Sequence, residues 1–443
     1  MFAVIKKVFF NETEISENQL RISRLGFIID AMASIVLTTL VNGVYVAGMF
    51  SFLGASEALS GVLLSTVALA GFFQFFAPII GERLTRRKLF VVSCNFISRL
   101  SMSLVLFMPY LIHDKSIALG FSAFFFVCGY LLHNLYTPLY SIWMTDLLPG
   151  HMRGRYFGVK DSLTFCIAAV FSYLGGYILD YYEKIGSDAF GFFLIAIILL
   201  VMACIEAASL LPIREPVLMR KKTKVSLLDI IKKTLESKSF RPTLVINILY
   251  QTSWQIGAAF ISIYRLSRLG LSYEFISLIS AVDIICRVAF APLWGRIAGK
   301  YGWYTATKFS YSFIMASVVI LGFTTAGNAY PMSWLSTIFS AVGWAGMGLS
   351  VFGMQFAHAP AECSSLYISC NGALSATIGF IASLIGSGFI AVANGFSIDI
   401  GTFAVCDMQL LFFVQGLLGV IFYLYITAIE RKEKHSATVK PES

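Results

Sequence analysis

Ala77-Pro78-Ile79-Ile80-Gly81 and Ala291-Pro292-Leu293-Trp294-Gly295 are two versions of one short sequence, 214 residues apart. Each follows a long apolar run, precedes a basic turn, and holds the same place in a series of six apolar segments. The repeat predicts two six-helix halves built on one plan. In membrane proteins, such repeats commonly place a small-molecule site between the halves, near the bilayer midplane.

The composition is that of a protein that crosses the membrane several times. Hydrophobic residues make up 58% of the 443 residues and charged residues only 13%, which is too little charge to cover a soluble surface. The net charge of +9 lies mostly in short loops, where anionic lipid headgroups are the expected neighbours. The sequence has no basic tract with interleaved aromatic residues, so we do not expect nucleic acid as a partner.

Twelve segments are long and apolar enough to span a bilayer, which takes about 20 residues each. The predicted fold is all-α, with two pseudo-symmetric six-helix bundles at 25–213 and 242–429. The predicted spans are 25–50, 57–80, 88–112, 117–142, 157–180, 189–213, 242–267, 273–297, 303–326, 331–356, 365–394 and 407–429.

The distribution of basic residues predicts the orientation. With both termini in the cytoplasm, the inside segments hold 27 of the 33 Lys and Arg residues. The outside loops then hold four: Lys115, Lys184, Arg265 and Arg268. By the positive-inside rule, this bias predicts a multi-pass protein of the cytoplasmic membrane with a cytoplasmic N-terminal segment, 1–24, and tail, 430–443.

The longest polar stretch, 214–241, joins the two predicted bundles. Ser226 and Asp229 have the spacing of a helix capping box, and the apolar residues that follow form one stripe opposite Lys232 and Lys233. This pattern predicts a short amphipathic helix on the inner membrane face. A solvated basic tether is the alternative interpretation.

Polar residues recur every fourth position on one face of the first and seventh predicted helices. Exposure of such polar groups to lipid costs free energy, so we expect them to face protein or water. One interpretation is a substrate cavity, and the other is hydrogen bonding between packed helices. The residues are Asp30, Ser34, Thr38 and Asn42 in the first helix, and Asn247, Gln251 and Gln255, with Trp254 beside them, in the seventh.

Charged residues inside predicted spans are the second set of candidates. Asp283 and Arg287 stand four residues apart in the eighth helix, where mutual pairing offsets the cost of burial. They are either an anchor for an anionic or zwitterionic substrate or a pair that locks helix packing. Gln74 is the equivalent of Arg287 under the repeat offset.

Arg99 in the third span and Glu206 in the sixth are the other charges that we expect to be buried, and we expect them to pair with one another or with backbone. Asp30 and Glu206 are the candidates for coupling to a proton. His133 is either a titrating group of the cavity or a packing residue.

The two basic turns are candidates for a cytoplasmic gate. Their charges either pair with helix ends and acids or anchor the chain to headgroups. The candidate gate residues are Gly81, Arg83 and Arg86 in the first turn, and Gly295, Arg296, Lys300 and Gly302 in the second.

These turns resemble the signature of the Major Facilitator Superfamily, approximately Gly-x-Leu-Ala-Asp-Arg-x-Gly-Arg-Arg. Gly299 and Thr85 replace its acidic residue, so the family's gating ion pair is expected to differ here. Twelve spans, the basic central loop and the stretch 146–158 add to the resemblance. The second turn matches the signature at Gly295, Ile297, Ala298, Lys300 and Gly302.

The resemblance implies alternating access. We expect a secondary transporter that moves a small organic solute as a monomer, either coupled to a proton or without a coupling ion. A transport-inactive receptor or scaffold on the same fold is the alternative. The sequence has no Gly-rich phosphate loop, no HExxH and no metal-ligand cysteine spacing, so we expect neither an enzyme nor a cofactor or metal.

Overall fold

The computed structural model describes residues 15–84, 86–148, 153–216, 232, 234–237, 239–360, 364–393, 396–400 and 403–438. Within these residues, eleven helices are long and apolar enough to cross a membrane, and a bent pair makes a twelfth span. The prediction of an all-helical membrane protein with twelve spans is therefore confirmed. The predicted amphipathic helix lies in a linker of which most residues, 217–231, 233 and 238, fall outside the described part of the chain.

The helices are numbered here in chain order. They are α1 (Glu17–Leu40), α2 (Gly43–Phe52), α3 (Glu57–Ala70), α4 (Phe76–Arg83), α5 (Arg87–Leu111), α6 (Lys115–Asp146), α7 (Arg153–Lys184), α8 (Asp188–Leu210), α9 (Arg241–Ile263), α10 (Tyr273–Tyr301), α11 (Trp303–Gly322), α12 (Ala329–His358), α13 (Ser364–Val392) and α14 (Asp407–Thr438). Short turns of other helix types at Gly71–Phe75, Tyr264–Arg268 and Ala326–Asn328 continue or precede their neighbours.

The first span differs from the prediction of one helix at 25–50. It begins at Glu17, where Ser16 and Gln19 form a capping box, and it breaks after Leu40 with a bend of 42°. Asn42 causes the break because its side chain accepts the N–H of Gly43, which has a φ of 54°. A positive φ favours glycine, so the sequence at this point specifies a new helix start.

The last predicted span also has different bounds. The strands β1 (Ser397–Ile400) and β2 (Phe403–Cys406) form an antiparallel hairpin before α14, and we did not predict them. Helix α14 then continues to Thr438, through much of the segment that we expected to be a tail.

The first compact unit contains the described residues of Met1–Ser56, Leu69–Lys224 and Ser272–Leu278. In this unit α1 packs against α7 and α8, and α5 packs against α6 and α8. Phe27 of α1 meets the ring edges of Tyr140 and Trp143 of α6, at centroid distances of 5.4 Å for both.

The second compact unit contains the described residues of Glu57–Ala68, Val225–Leu271 and Ile279–Ser443. Here α9 packs against α13 and α14, and α11 packs against α12 and α14. These pairs correspond to those of the first unit when α9 is matched with α1, α11 with α5, α12 with α6, α13 with α7 and α14 with α8. The sequence repeat is therefore also a repeat of packing.

A glycine lies at a corresponding close helix crossing in each unit. A side chain at Gly129 would lie 3.4 Å from the carbonyl oxygen of Ser98, and one at Gly343 would lie 2.7 Å from that of Ser310. The two glycines are 214 residues apart, which is the offset of the repeat. Small residues at such crossings let membrane helices approach closely, so both units use the same device.

Each unit also includes the start of a helix from the other half of the chain. The carboxylate of Asp180 accepts the backbone N–H groups of Tyr273 and Glu274, at 2.8 and 2.7 Å, and so caps α10 within the first unit. In the second unit, Arg268 contacts the carboxylate of Glu57 at 2.7 Å, at the start of α3. Arg265 and Arg268 thus belong to the structured end of the α9 span, not to a loop.

Candidate functional site

A cavity of about 300 Å³ lies within the first unit. It is formed by residues from α1, α5, α6, α7 and α8, and its polar groups include three that the helix spacing singled out: Asp30, Ser34 and Thr38. The lining includes Asp30, Ser34, Thr38, Asn95, Arg99, His133, Tyr136, Tyr140, Lys160 and Glu206.

Asp30 is the carboxylate of this cavity that lacks an adjacent cation. Its side chain is 2% exposed, and its Oδ2 atom accepts a hydrogen bond of 2.5 Å from the hydroxyl of Tyr140. Its Oδ1 atom has no hydrogen-bond partner among the described residues. An ionised carboxylate with an unsatisfied oxygen is costly in a membrane helix, so this position favours a group that exchanges a proton.

Arg99 and Glu206 form the predicted ion pair. The Nε atom of Arg99 lies 2.9 Å from the nearer oxygen of Glu206, and both side chains are 1% exposed. Asn95 donates a second hydrogen bond to Glu206, at 2.7 Å, and Arg99 also donates to the hydroxyl of Ser34. The pair is thus held by α1, α5 and α8 together, and it neutralises itself.

The three charges of Asp30, Arg99 and Glu206 add to −1 when Asp30 is ionised, because Arg99 balances only one of the two carboxylates. A proton on Asp30 brings the sum to zero. Lys160 also lines the cavity, and its ammonium group lies 2.9 Å from Asp161, its neighbour in the chain.

The remaining candidates of the first unit have separate roles. His133 lines the cavity with its Nδ1 atom 3.2 Å from the hydroxyl of Tyr136, and the hydroxyl of Thr38 bonds to backbone carbonyls of its own helix. Asn42 caps α2 and does not continue the stripe of α1. Gln74 donates to the side chain of Asn134 at 2.6 Å.

In the second unit, the polar stripe of α9 divides into two parts. Asn247 is 5% exposed and donates to Ser375 at 3.0 Å, which is a contact between packed helices. Gln251 and Gln255 are partly exposed and pass close to Gly379, where a Cβ atom would lie 3.0 Å from Cγ of Gln255 and 3.6 Å from Cβ of Gln251. The stripe therefore serves helix packing at one end and is accessible further along.

The second unit has its own cluster of charge and aromatic rings. Arg287 contacts Asp283 at 2.6 Å, as predicted, and its guanidinium lies 5.5 Å from the ring centre of Trp344. Trp254 meets Trp344 edge to face at 5.0 Å. A cavity of about 200 Å³ lies beside these rings, lined by Tyr250, Trp344, Met347, Gly348, Val351, Phe352 and Gln355.

A comparison with known protein families identifies the family of this chain. The model of the Major Facilitator Superfamily matches residues 27–386. The chain belongs to this superfamily. No curated protein matches the sequence.

Solved transporters share the fold of this superfamily member at low sequence identity. The nucleoside transporter NupG is 15% identical with a TM-score of 0.67, over 91% of this chain and 98% of that one. The POT family transporter PepTSo is 11% identical with a TM-score of 0.68, over 94% and 99%. A D-xylose-proton symporter is 13% identical with a TM-score of 0.64, over 92% and 96%.

The basic residues that follow the superfamily turns bind helix ends and acids. Arg87 contacts Asp146 at 2.7 Å, and Lys88 donates to the carbonyl of Leu211 at 2.6 Å. In the second half, Lys308 contacts Glu430 at 2.7 Å. These three residues therefore pair with acids or with a carbonyl at a helix end.

The candidate gate residues themselves differ in their surroundings. Arg86 stands at the N-cap position of α5, and Gly302, with a φ of 88°, begins α11. Arg296 and Lys300 are exposed, and the ammonium of Lys300 lies 5.0 Å from the ring centre of Tyr301. Gly81 and Gly295 lie within α4 and α10, and Arg83 ends α4, with its side chain outside the described part.

Sequence reasoning missed Asn95 and Trp344. Asn95 stands four residues before Arg99 on one helix face, so the same spacing rule that found the α1 stripe would have found it. Trp344 lies in an apolar helix and gives no such signal. Its position beside Arg287 follows only from the packing of α10 and α12 in space.

Proposed function

We propose that this protein is a proton-coupled secondary transporter of a small organic solute in the cytoplasmic membrane, with both termini in the cytoplasm. It works by alternating access as a monomer, and the proton is carried by Asp30. The observation that carries the proposal is the cavity of the first unit, in which a buried carboxylate without an adjacent cation lies next to a self-neutralised ion pair.

Asp30 is better placed to exchange a proton than Glu206. Glu206 holds Arg99 and Asn95, so its protonation would leave a buried guanidinium without its counter-charge. Among the described residues, Asp30 accepts a hydrogen bond only from Tyr140, and that hydroxyl can keep its contact with either form of the carboxyl group. Glu206 therefore acts as the fixed counter-charge of Arg99.

Each unit contains polar and aromatic residues suited to bind a small organic solute. Ser34, Thr38 and His133 supply hydroxyl and imidazole groups in the first unit. Gln251, Trp254 and Gln255 supply amide and indole groups in the second. The named solutes of the similar structures, nucleoside and D-xylose, are small polar organic molecules, and one of these proteins is a proton symporter.

The test uses the full chain reconstituted in liposomes that contain a trapped pH-sensitive dye. Organic anions, zwitterions, sugars and nucleosides are added one at a time, with empty liposomes as the control. We expect at least one solute to enter and to change the internal pH. Entry without a pH change would refute proton coupling, and binding without entry would favour the receptor alternative.

A further inference from the structure

Arg287 is a cation with unused hydrogen-bond donors. Asp283 contacts its Nε atom, and its Nη1 and Nη2 atoms have no hydrogen bond to any described residue. The side chain is 42% exposed, whereas that of Asp283 is 11% exposed. Two of the guanidinium nitrogens are therefore free to bind an anion in the forked geometry that carboxylates and phosphates fit.

The surroundings of Arg287 carry a net positive charge. Asp283 is within electrostatic range of both Arg287 and Arg265, so one carboxylate faces two guanidinium groups. Arg265 also donates to the hydroxyl of Thr337 at 3.2 Å. These three charges add to +1. This part of the second unit therefore attracts anions.

The cavity beside this cluster suits a single planar ring. Arg287 lies over Trp344, which lines the cavity, and it is within electrostatic range of Tyr250 on the same lining. The volume of about 200 Å³ exceeds the roughly 150 Å³ of apolar space that admits benzene, so one ring and one small substituent fit. Met347, Val351 and the rings give apolar walls for that ring.

We infer that this cavity binds a small organic anion with a planar apolar body, whose charged group is held by Arg287. This inference rests on the proposed transport function, because it identifies the bound anion as the class of solute that is moved. Asp283 tunes the site by holding the guanidinium in place while leaving one positive charge uncompensated.

The test is a binding measurement with two probes of equal shape and different charge. The line width of 4-fluorobenzoate and of neutral 4-fluorobenzamide is followed by fluorine NMR with the purified full chain in detergent, with empty micelles as the blank. We expect the benzoate to bind more tightly. Loss of a charge-assisted bond in Arg287→Gln should weaken it by about tenfold to a hundredfold.

Matched variants separate charge recognition from folding. Asp283→Asn should bind the benzoate at least as well as the wild type, because it removes the competing carboxylate. Arg431→Gln, which removes an exposed positive charge from α14, should change nothing. If Arg287→Gln does not fold, the Asp283→Asn and Arg287→Gln double variant keeps the pair neutral and serves in its place.

Three results would overturn the inference: no benzoate binding, equal binding of the amide, or equal weakening by Asp283→Asn and Arg287→Gln. These results are distinct from a failure of the proposed function. Proton-coupled entry of a neutral solute that excess 4-fluorobenzoate does not inhibit would leave the transporter proposal intact and overturn this one. Benzoate binding without any solute entry would leave the anion-binding site intact and overturn the transporter proposal.

Discussion

The ion pair of Arg99 and Glu206 gives the most quantitative prediction. Both side chains are 1% exposed, so removal of one partner leaves an uncompensated charge in the membrane interior. Breaking a buried pair in this way costs about 3–5 kcal/mol. We therefore expect Arg99→Leu to lower the free energy of unfolding by that amount. This range of free energy includes the loss of the hydrogen bonds that Arg99 donates to Ser34 and Met102.

The double variant distinguishes charge from packing. Arg99→Leu combined with Glu206→Gln removes both charges of the pair, and the glutamine oxygen can still accept the bond from Asn95. We expect it to recover most of the lost stability, because replacement of both charged partners by neutral groups is often close to neutral in its effect.

Denaturant unfolding of the purified protein in detergent, followed by tryptophan fluorescence, measures these changes. The control is Glu57→Gln, which breaks the contact with Arg268. Those side chains are 27% and 34% exposed, so the loss should be about 1 kcal/mol or less. A double variant no more stable than Arg99→Leu alone would refute the reasoning, as would a loss in Arg99→Leu no larger than in the control.

Three further predictions follow from other contacts. Asp180→Ala removes the cap of α10 and should lower stability by about 1–2 kcal/mol in the same unfolding assay; an unchanged midpoint would show that the cap contributes nothing. Burial raises the pKa of Glu215 in the folded protein above its usual value, which the unfolded chain keeps. The free energy of unfolding should therefore decline as the pH rises from the usual pKa through the higher folded pKa. Glu215→Gln should reduce this decline across a pH series, and an identical slope would contradict it. Gln251→Ala should reduce solute uptake without reducing the amount of folded protein in the membrane, and unchanged uptake would remove the α9 stripe from the site.

The sequence was sufficient for the fold because lipid restricts the possible structures. Only helices satisfy the backbone of an apolar span of this kind, so the length and hydropathy of each segment predicted its state. The same constraint predicted that Asp283 pairs with Arg287, and that Arg99 and Glu206 pair with one another or with backbone, since isolated charges in spans cost free energy; the structure has both ion pairs.

The prediction from hydropathy failed where hydrogen bonds of the local backbone determine the structure. Asn42 was counted with the polar stripe because it has the right spacing, but its side chain caps the following helix at Gly43. The hairpin before α14 was missed because its residues adjoin apolar spans, which we divided by hydropathy alone. In both cases turn chemistry determined the structure where a hydropathy pattern could not.

Spacing along one helix does not predict which residues of other helices complete a cavity. Tyr140 meets Asp30 across 110 residues of sequence, and Trp344 meets Arg287 from an apolar stretch with no polar pattern. These partners depend on how helices pack in space. The candidates from one helix were therefore identifiable, and their partners required the structure.

The central claim is that Asp30 carries the coupling proton, and Asp30→Asn tests it most directly. Once a transported solute is known, two rates are compared in liposomes: its accumulation driven by a pH gradient, and its exchange against the same solute without a gradient. We predict that Asp30→Asn abolishes accumulation and retains exchange, because asparagine keeps the shape of the neutral carboxyl group but cannot release a proton. Full pH-driven accumulation by Asp30→Asn would contradict the account.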